Sequence, residues 1–283
     1  MSFRIAVASI FLLAGLLPLP GKSADAQALD IPLLWDLQER PTRPDLSALT
    51  RLRFLTATDF PPFNFLDDQG RLSGFHIDLA RAICDGLALA DKCQIQALPW
   101  DELQDALEKG EGEAIIAGLA VTAQTRTAYA FSRPYLQFPA RFVMRKSQLL
   151  TEPLDTKLQD KPVGVITGTA HERMLRDYFN KLRIVSVADE AELYAQLKSG
   201  KIEAAFADGM RLSFWLADTE SEQCCAFAGG PYIAPEYLGT GMAIATRIED
   251  ASLAAAFDHA LQDISAKNVF SELYLRYFPI GFY

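Results

Sequence analysis

Three residues that follow apolar strands could bind a small charged molecule. Asp208 comes directly after the apolar residues 204–207, where its carboxylate could pair with a cation. Gly168 and Thr169 follow the apolar residues 162–166 and precede a predicted helix, so that backbone N–H groups would face an anion there. Ligands of open α/β sheets bind beyond the carboxyl ends of the strands. The three residues therefore predict a binding region.

Asp208 belongs to the second copy of an internal repeat. Seven residues recur ninety positions later, namely Glu102, Leu103, Leu107, Gly110, Glu113, Ala114 and Ala117 as Glu192, Leu193, Leu197, Gly200, Glu203, Ala204 and Ala207. Each copy is typical of an amphipathic helix, a glycine stop and a short apolar strand. Chance recurrence is the alternative, and the constant offset disfavours it. A unit that occurs twice predicts two similar α/β lobes rather than a solenoid, with Gly118 and Asp208 facing a cleft between them.

The N-terminus predicts export. Arg4 precedes an apolar run over residues 5–19, which is too short for a membrane span. Small residues at 24–26 and 26–28 both fit A-x-A cleavage sites. We therefore predict a cleaved signal peptide over residues 1–26 and a periplasmic location. No Cys stands directly after the predicted cleavage sites, so a lipid anchor at the new terminus is not expected.

Charge and histidine content exclude several classes of site. The full chain carries a net charge of −9, and loss of residues 1–26 removes two cations and one anion to leave −10. An acidic chain without a basic run is a poor nucleic-acid binder. His76, His171 and His259 are far apart in the sequence, so no metal site, cofactor or catalytic histidine is predicted.

Four cysteines in an exported chain suggest disulfides. Cys84 ends a helical pattern and Cys93 precedes a predicted strand, so a link between these two is geometrically reasonable. In the chain-entropy model such a small loop would stabilise the fold by about 2–3 kcal/mol. Cys224 and Cys225 are adjacent, and two buried thiols or an intermolecular link are favoured there over a vicinal disulfide.

The pattern of apolar segments divides the mature chain into an extension and two lobes. Residues 27–51 are Pro-rich and are expected to pack on the first lobe or to be partly mobile. The predicted lobes comprise residues 52–143 with 240–283, and residues 144–239. Apolar segments over 140–144 and 238–245 are interpreted as the two crossings between the lobes.

A longer series of residues, in a fixed order, carries a family resemblance: Phe60, Pro62, Phe63, Phe65, Gly70, Gly74, Phe75, Ile77, Asp78, Trp100, Asp101, Gly110, Glu113, Thr122, Phe131, Ser132, Pro134, Tyr135, Gly164, Gly168 and Asp208. This series resembles the family 3 extracellular solute-binding proteins, the polar amino-acid binding components of ABC importers. The resemblance implies the two-lobed type II periplasmic binding protein fold, with two crossing strands that let the lobes close on a ligand. The pair Cys84 and Cys93 also resembles the disulfide of the basic amino-acid binders.

The resemblance implies roles for individual residues. Asp208 matches the carboxylate that pairs with the ligand α-ammonium, although it could also be the N-cap of the following helix. Phe60 and Trp100 match side chains that sandwich the ligand, and packing in the core is the alternative for both. The other positions that the resemblance places at the ligand are Gly118, Thr122, Gly168 and Thr169.

Two departures from the family pattern concern the ligand carboxylate. The family has an Arg three positions after Thr122 that clamps this group, whereas here Thr125 holds that position and the arginine is Arg126. The Ser or Thr usual at position 120 is Ala120. A hydroxyl is a poor substitute for a bidentate guanidinium. The ligand is therefore either an amino acid whose carboxylate is bound in another way than in the family, or an amine or other solute without an α-carboxylate. Arg126 either reaches the pocket or faces solvent.

The resemblance favours one function over two alternatives. It implies a monomeric binding protein that captures a small polar solute and delivers it to an ABC importer. An enzyme of the cyclohexadienyl dehydratase type is the first alternative, and it would need a general acid in the cleft, where Glu113 is expected to face away. The second alternative is a soluble ligand sensor for a membrane receptor.

Overall fold

The computed structural model describes Asp36, Glu39 and residues 41–283. The predicted signal peptide, both predicted cleavage sites and residues 27–35, 37, 38 and 40 of the predicted extension lie outside the described residues. Within the described part of the chain, no helix is long and apolar enough to cross a bilayer.

Strands and helices alternate along the described chain. The strands are β1 (Leu52–Thr56), β2 (Asp59–Phe60), β3 (Asn64–Leu66), β4 (Leu72–Ser73), β5 (Cys93–Ala97), β6 (Ala114–Ile115), β7 (Tyr129–Phe131), β8 (Ala140–Arg145), β9 (Pro162–Ile166), β10 (Arg183–Val187), β11 (Ala204–Asp208), β12 (Cys225–Tyr232) and β13 (Ala245–Arg247). The helices are α1 (Phe75–Gly86), α2 (Leu103–Glu108), α3 (Thr125–Ala128), α4 (Leu154–Lys157), α5 (Ala170–Tyr178), α6 (Glu190–Ser199), α7 (Gly209–Ala217), α8 (Pro235–Leu238), α9 (Ala251–Ala266) and α10 (Val269–Tyr277).

Two five-stranded sheets have the same topology. The first runs in the order β5-β1-β6-β13-β7 and the second in the order β10-β9-β11-β8-β12. In each sheet the first three strands are parallel and the fourth is antiparallel to both its neighbours. The repeated strands β6 and β11 both take the third place. The predicted two-lobed α/β fold is therefore confirmed.

The repeated glycines end equivalent helices. Gly110 follows α2 with a φ of 71°, and Gly200 follows α6 with a φ of 78°. Only glycine adopts this left-handed conformation without a steric penalty, which explains why the same residue stands at both positions. Each glycine turns the chain from a helix towards the third strand of its sheet.

The first connection between the two sheets lies earlier in the chain than the apolar pattern suggests, over residues 132–139. β8 pairs along its whole length with β11 and carries β12 on its other side, so residues 140–143 belong to the second sheet. The predicted boundary between residues 143 and 144 therefore falls inside β8. Phe142 and Val143 point into separate cores on the two faces of that sheet. A strand buried on both faces reads as a continuous apolar run, which is why it was interpreted as a crossing.

The segments that join the two sheets contact each other. The backbone N–H of Tyr135 donates to the carbonyl of Met242 at 2.8 Å, and the N–H of Met242 donates to the carbonyl of Leu136 at 2.7 Å. Tyr283 contacts the first of these segments, because its hydroxyl accepts a hydrogen bond from the N–H of Gln137 and donates one to the Gln137 carbonyl. The two connections are thus hydrogen-bonded to each other next to the first sheet.

Each sheet packs against helices on both faces. In the first lobe Phe54, Phe75 and Phe257 form a buried core between the sheet and the helices α1, α9 and α10. Leu46 and Leu49 pack on this core. The described part of the predicted extension therefore lies against the first lobe.

The cysteines lie in two close pairs. Cys84 in α1 and Cys93 at the start of β5 have Cα atoms 6.2 Å apart, and their sulfur atoms lie next to each other. The structure also pairs the sulfur atoms of Cys224 and Cys225, with Cα atoms 3.7 Å apart. This second pairing differs from the two thiols or the intermolecular link that the sequence favoured.

Candidate functional site

Two cavities lie at the ends of strands. The first, of about 270 Å³, belongs to the first lobe and is lined by Asp59, Phe60, Trp100, Ala117 and Gly118. The second, of about 310 Å³, belongs to the second lobe and is lined by Ile166, Thr169, His171, Glu190, Phe206, Ala207, Asp208 and Arg211. The cavities share no residue. Five of the eight predicted ligand residues line one of them, namely Phe60, Trp100, Gly118, Thr169 and Asp208.

Exposed aromatic rings form the wall of the first cavity. Phe60 is 37% exposed and Trp100 is 45% exposed, so the alternative that they pack in the core is excluded. The Phe60 ring rests on that of Phe63, with ring centroids 4.9 Å apart. Gly118 has a φ of 84°, and a Cβ there would lie 3.0 Å from the Phe60 ring. The glycine lets the backbone approach this ring closely.

Asp208 ends β11 and begins α7. Its Oδ1 accepts the backbone N–H of Arg211 at 2.9 Å, so the residue is the N-cap of the helix. Burial raises the pKa of Asp208, although the N–H groups of Arg211 and Met210 and the Arg211 charge oppose the rise. Asp208 has no ion pair with a lysine or arginine of the described residues, because the Arg211 guanidinium pairs with Glu190 at 2.9 Å. The carboxylate is thus both a helix cap and available to a cation.

The loop at Gly168 differs from the anion site that the sequence predicted. The Gly168 N–H donates to Glu172 Oε2 at 2.7 Å, and the Thr169 hydroxyl accepts the Glu172 N–H at 3.1 Å. Hydrogen bonds from Ser186, Arg176 and the Gly168 N–H lower the pKa of Glu172 to about 2. A protein carboxylate therefore occupies the N–H group that was expected to be free, and Gly168 does not line the second cavity.

Thr122 and Thr125 bond to each other rather than facing either cavity. The Thr125 hydroxyl accepts the Thr122 N–H at 2.9 Å and donates to the Ala120 carbonyl at 2.8 Å. In return the Thr125 N–H donates to the Thr122 hydroxyl at 3.0 Å. The side chains close the turn that begins α3, so Thr125 does not replace the arginine of the family pattern.

Arg126 also lies outside both cavities. Its side chain is exposed, and its Cζ lies 5.9 Å from the centroid of the Phe131 ring. The shift of one position from the family pattern turns the side chain by about 100° on a helix. Of the two positions considered for the Arg126 side chain, in the pocket or facing solvent, the structure shows the second.

Four charged or polar residues at the cavities were missed by the sequence interpretation. Asp59 lines the first cavity, and His171, Glu190 and Arg211 line the second. Burial and the Arg211 charge lower the pKa of His171 to about 4, so its ring is neutral at pH 7. A usable signal existed, because each residue lies within three positions of a strand end or in the first turn of a helix that follows a strand. The described residues contain no cluster of His, Cys, Asp and Glu that could hold a metal ion.

Comparisons with known proteins agree with this geometry. The model of the family described as "Bacterial extracellular solute-binding proteins, family 3" matches residues 52–280 of this chain. The chain is 26% identical to the L-arginine-binding protein of Pseudomonas aeruginosa over 242 residues, which cover 85% of this chain and 92% of that protein. It is 28% identical to the lysine/arginine/ornithine-binding periplasmic protein of Escherichia coli over 234 residues, 82% and 89% of the two chains.

A solved structure supports the fold. The L-cystine solute receptor of Neisseria gonorrhoeae, in its unliganded open conformation, superposes with a TM-score of 0.67 at 16% identity, covering 82% of this chain and 94% of that one. The two curated relatives are binding proteins, which favours binding over catalysis for this chain too. The chain therefore belongs to the family 3 bacterial extracellular solute-binding proteins.

Proposed function

We propose that residues 1–26 direct export and that the mature protein binds a small polar solute, an amino acid or another amine, in the cleft between its lobes. It then delivers the solute to the permease of an ABC importer in the inner membrane, acting as a periplasmic monomer. The observation that carries this proposal is Asp208, a half-buried carboxylate that lines a cavity at a strand end and has no ion pair with a lysine or arginine among the residues that the structure describes.

The two cavities supply the two halves of the binding site. Phe60, Trp100 and Gly118 contact the solute from the first lobe, and Thr169 and Asp208 contact it from the second. Aromatic faces suit a cation or a flat group, and a carboxylate suits an ammonium group. Gly168, Thr122 and Arg126 remain proposed ligand residues that closure of the lobes would have to bring to the solute.

Names of relatives and the pairing of cysteines support the remaining parts of the proposal. The relatives are named for arginine, and for lysine, arginine and ornithine, and the second is named periplasmic. In that compartment Cys84 and Cys93 would be oxidised to a disulfide. The lobes of the proposed protein are residues 52–139 with 240–283, and residues 140–239.

A thermal-shift screen of the mature protein tests the proposal. The compounds are amino acids, their decarboxylated amines, polyamines and small dicarboxylates. A solute at 100 times its dissociation constant adds about 2.7 kcal/mol to the free energy of unfolding, which raises the Tm by several degrees. The proposal is contradicted if no amino acid or amine raises the Tm and calorimetry with the same compounds detects no binding.

Trp100→Ala should weaken binding of the strongest amine or amino acid from this screen by about 1–2 kcal/mol, the size of a cation–π contact with its apolar area. The ring is exposed, so the Tm of the free protein should stay the same. Calorimetry measures the affinity. Tyr178→Ala removes an aromatic ring with 53% exposure outside both cavities and is the matched control. Equal affinities for the two variants would remove Trp100 from the site.

A further inference from the structure

The chemistry of the second cavity narrows the class of solute, on the basis of the function proposed above. We propose that the solute is a cation that needs no carboxylate, such as an alkylamine or a guanidine. His171 is an additional ligand residue, whose Nε2 accepts an N–H of that cation beside Asp208.

The charges at the cavities favour a cation. Three carboxylates line them, those of Asp59, Glu190 and Asp208, against the single guanidinium of Arg211. Glu190 already neutralises Arg211 through the 2.9 Å ion pair. The lining residues therefore carry a net charge of −2, which attracts a cation and repels a free carboxylate.

The donors that could hold a carboxylate are engaged elsewhere. The Thr125 hydroxyl bonds to Thr122 and Ala120, and the Gly168 N–H bonds to Glu172. Arg126 extends over Phe131 and lines neither cavity. A carboxylate placed at Thr125 or Gly168 would have to displace an existing partner, and Arg126 is outside both cavities. An amine makes no such demand.

His171 offers an unsatisfied polar atom to the solute. Its Nε2 is shielded from solvent and has no hydrogen-bond partner among the described residues. A buried polar atom without a partner is destabilising, and a ligand that supplies the partner recovers this free energy. The lowered pKa keeps the ring neutral at pH 7. With its proton on Nδ1, the imidazole presents Nε2 as an acceptor.

Ammonium and guanidinium groups match this pair of acceptors. Each carries several N–H donors, so one can point to the Asp208 carboxylate and another to the His171 nitrogen. The Phe60 and Trp100 rings then cover the solute from the first lobe, where a cation is attracted to the ring faces.

Calorimetry with matched probes tests the inference on the mature protein. L-Arginine and agmatine differ only in the carboxylate, as do L-ornithine and putrescine. We expect agmatine or putrescine to bind at least as tightly as the corresponding amino acid. His171→Phe should then weaken binding of that amine about tenfold, and His171→Gln, which keeps a polar atom near the position of Nε2, should weaken it less.

His259→Phe is the control variant, because His259 contacts the Pro41 carbonyl away from both cavities. This variant should bind the amine as tightly as the wild type does. If the amino acids bind and both amines fail, a carboxylate clamp exists, and this inference is wrong while the proposed function stands. If His171→Phe binds the amine with unchanged affinity, His171 is not a ligand residue. Absence of binding by these four probes and by the wider screen would instead overturn the proposed function itself.

Discussion

Asp208→Asn should weaken binding of the strongest amine or amino acid by about 30-fold or more, while the Tm of the free protein stays nearly the same. A hydrogen bond to a charged group contributes about 1.5–3 kcal/mol, and a lost 2 kcal/mol corresponds to this factor. Asparagine keeps an oxygen that can accept the Arg211 N–H and caps a helix as well as aspartate does. The substitution therefore removes the charge and keeps the start of α7.

A second helix-capping aspartate provides the control for this experiment. Asp218 Oδ1 accepts the Glu220 N–H at 2.8 Å, and the residue lies at the other end of α7, outside both cavities. Asp218→Asn should leave the affinity unchanged in the same calorimetric titration. Asp208→Asn with the affinity of Asp218→Asn would show that Asp208 is only a helix cap.

The repeat predicted the fold because each of its copies corresponds to a helix and the third strand of one sheet. A helix, a left-handed glycine and a strand specify one unit, so two copies, whose helices end at Gly110 and Gly200, imply two lobes of the same design. The lobe boundary was less accessible. β8 is apolar on both faces, and apolar content alone does not distinguish a central strand from a connection between sheets.

The residues that line the cavities divide in the same way. The positions of Asp208, at the end of β11, and Thr169, three residues after β9, were predictable from the strand ends, and those of Phe60 and Trp100 from the family resemblance. His171 and Arg211 come from the first turns of helices, and the packing of those helices on strand ends decides whether such side chains reach a cavity. The sequence did contain one overlooked signal. Thr169 and Glu172 have capping-box spacing, which predicts that the loop N–H is already engaged.

Glu113→Ala should lower the free energy of unfolding by about 3–5 kcal/mol, the cost of breaking a buried ion pair. Glu113 is 9% exposed. Its Oε1 lies 2.9 Å from Arg53 Nη2, and its Oε2 accepts the Arg53 backbone N–H at 2.6 Å. The substitution would leave the half-buried Arg53 guanidinium with the Gly110 carbonyl as its remaining hydrogen-bond partner among the described residues. Urea or thermal unfolding measures the loss.

The loss should depend on pH in a defined direction. Burial by itself raises the pKa of Glu113, but the hydrogen bonds and charge of Arg53 outweigh it and lower the pKa below the ordinary 4.5. A carboxyl whose pKa is lowered by folding stabilises the native state above its unfolded pKa and loses this contribution as the pH falls through the folded value. The stability difference between wild type and Glu113→Ala should therefore shrink below about pH 4.5.

The repeat supplies the matched control and connects this prediction to function. Glu203 is the residue equivalent to Glu113 in the repeat. Its Oε2 lies 3.7 Å from Arg145 Nη2, which is a longer distance than the 2.9 Å between Glu113 and Arg53. Glu203→Ala should therefore cost about 1 kcal/mol or less. Because Glu113 lines neither cavity, Glu113→Gln should bind the solute with wild-type affinity. A folded Glu113→Gln protein that no longer binds would place this carboxylate in the cleft, where a dehydratase would need its general acid.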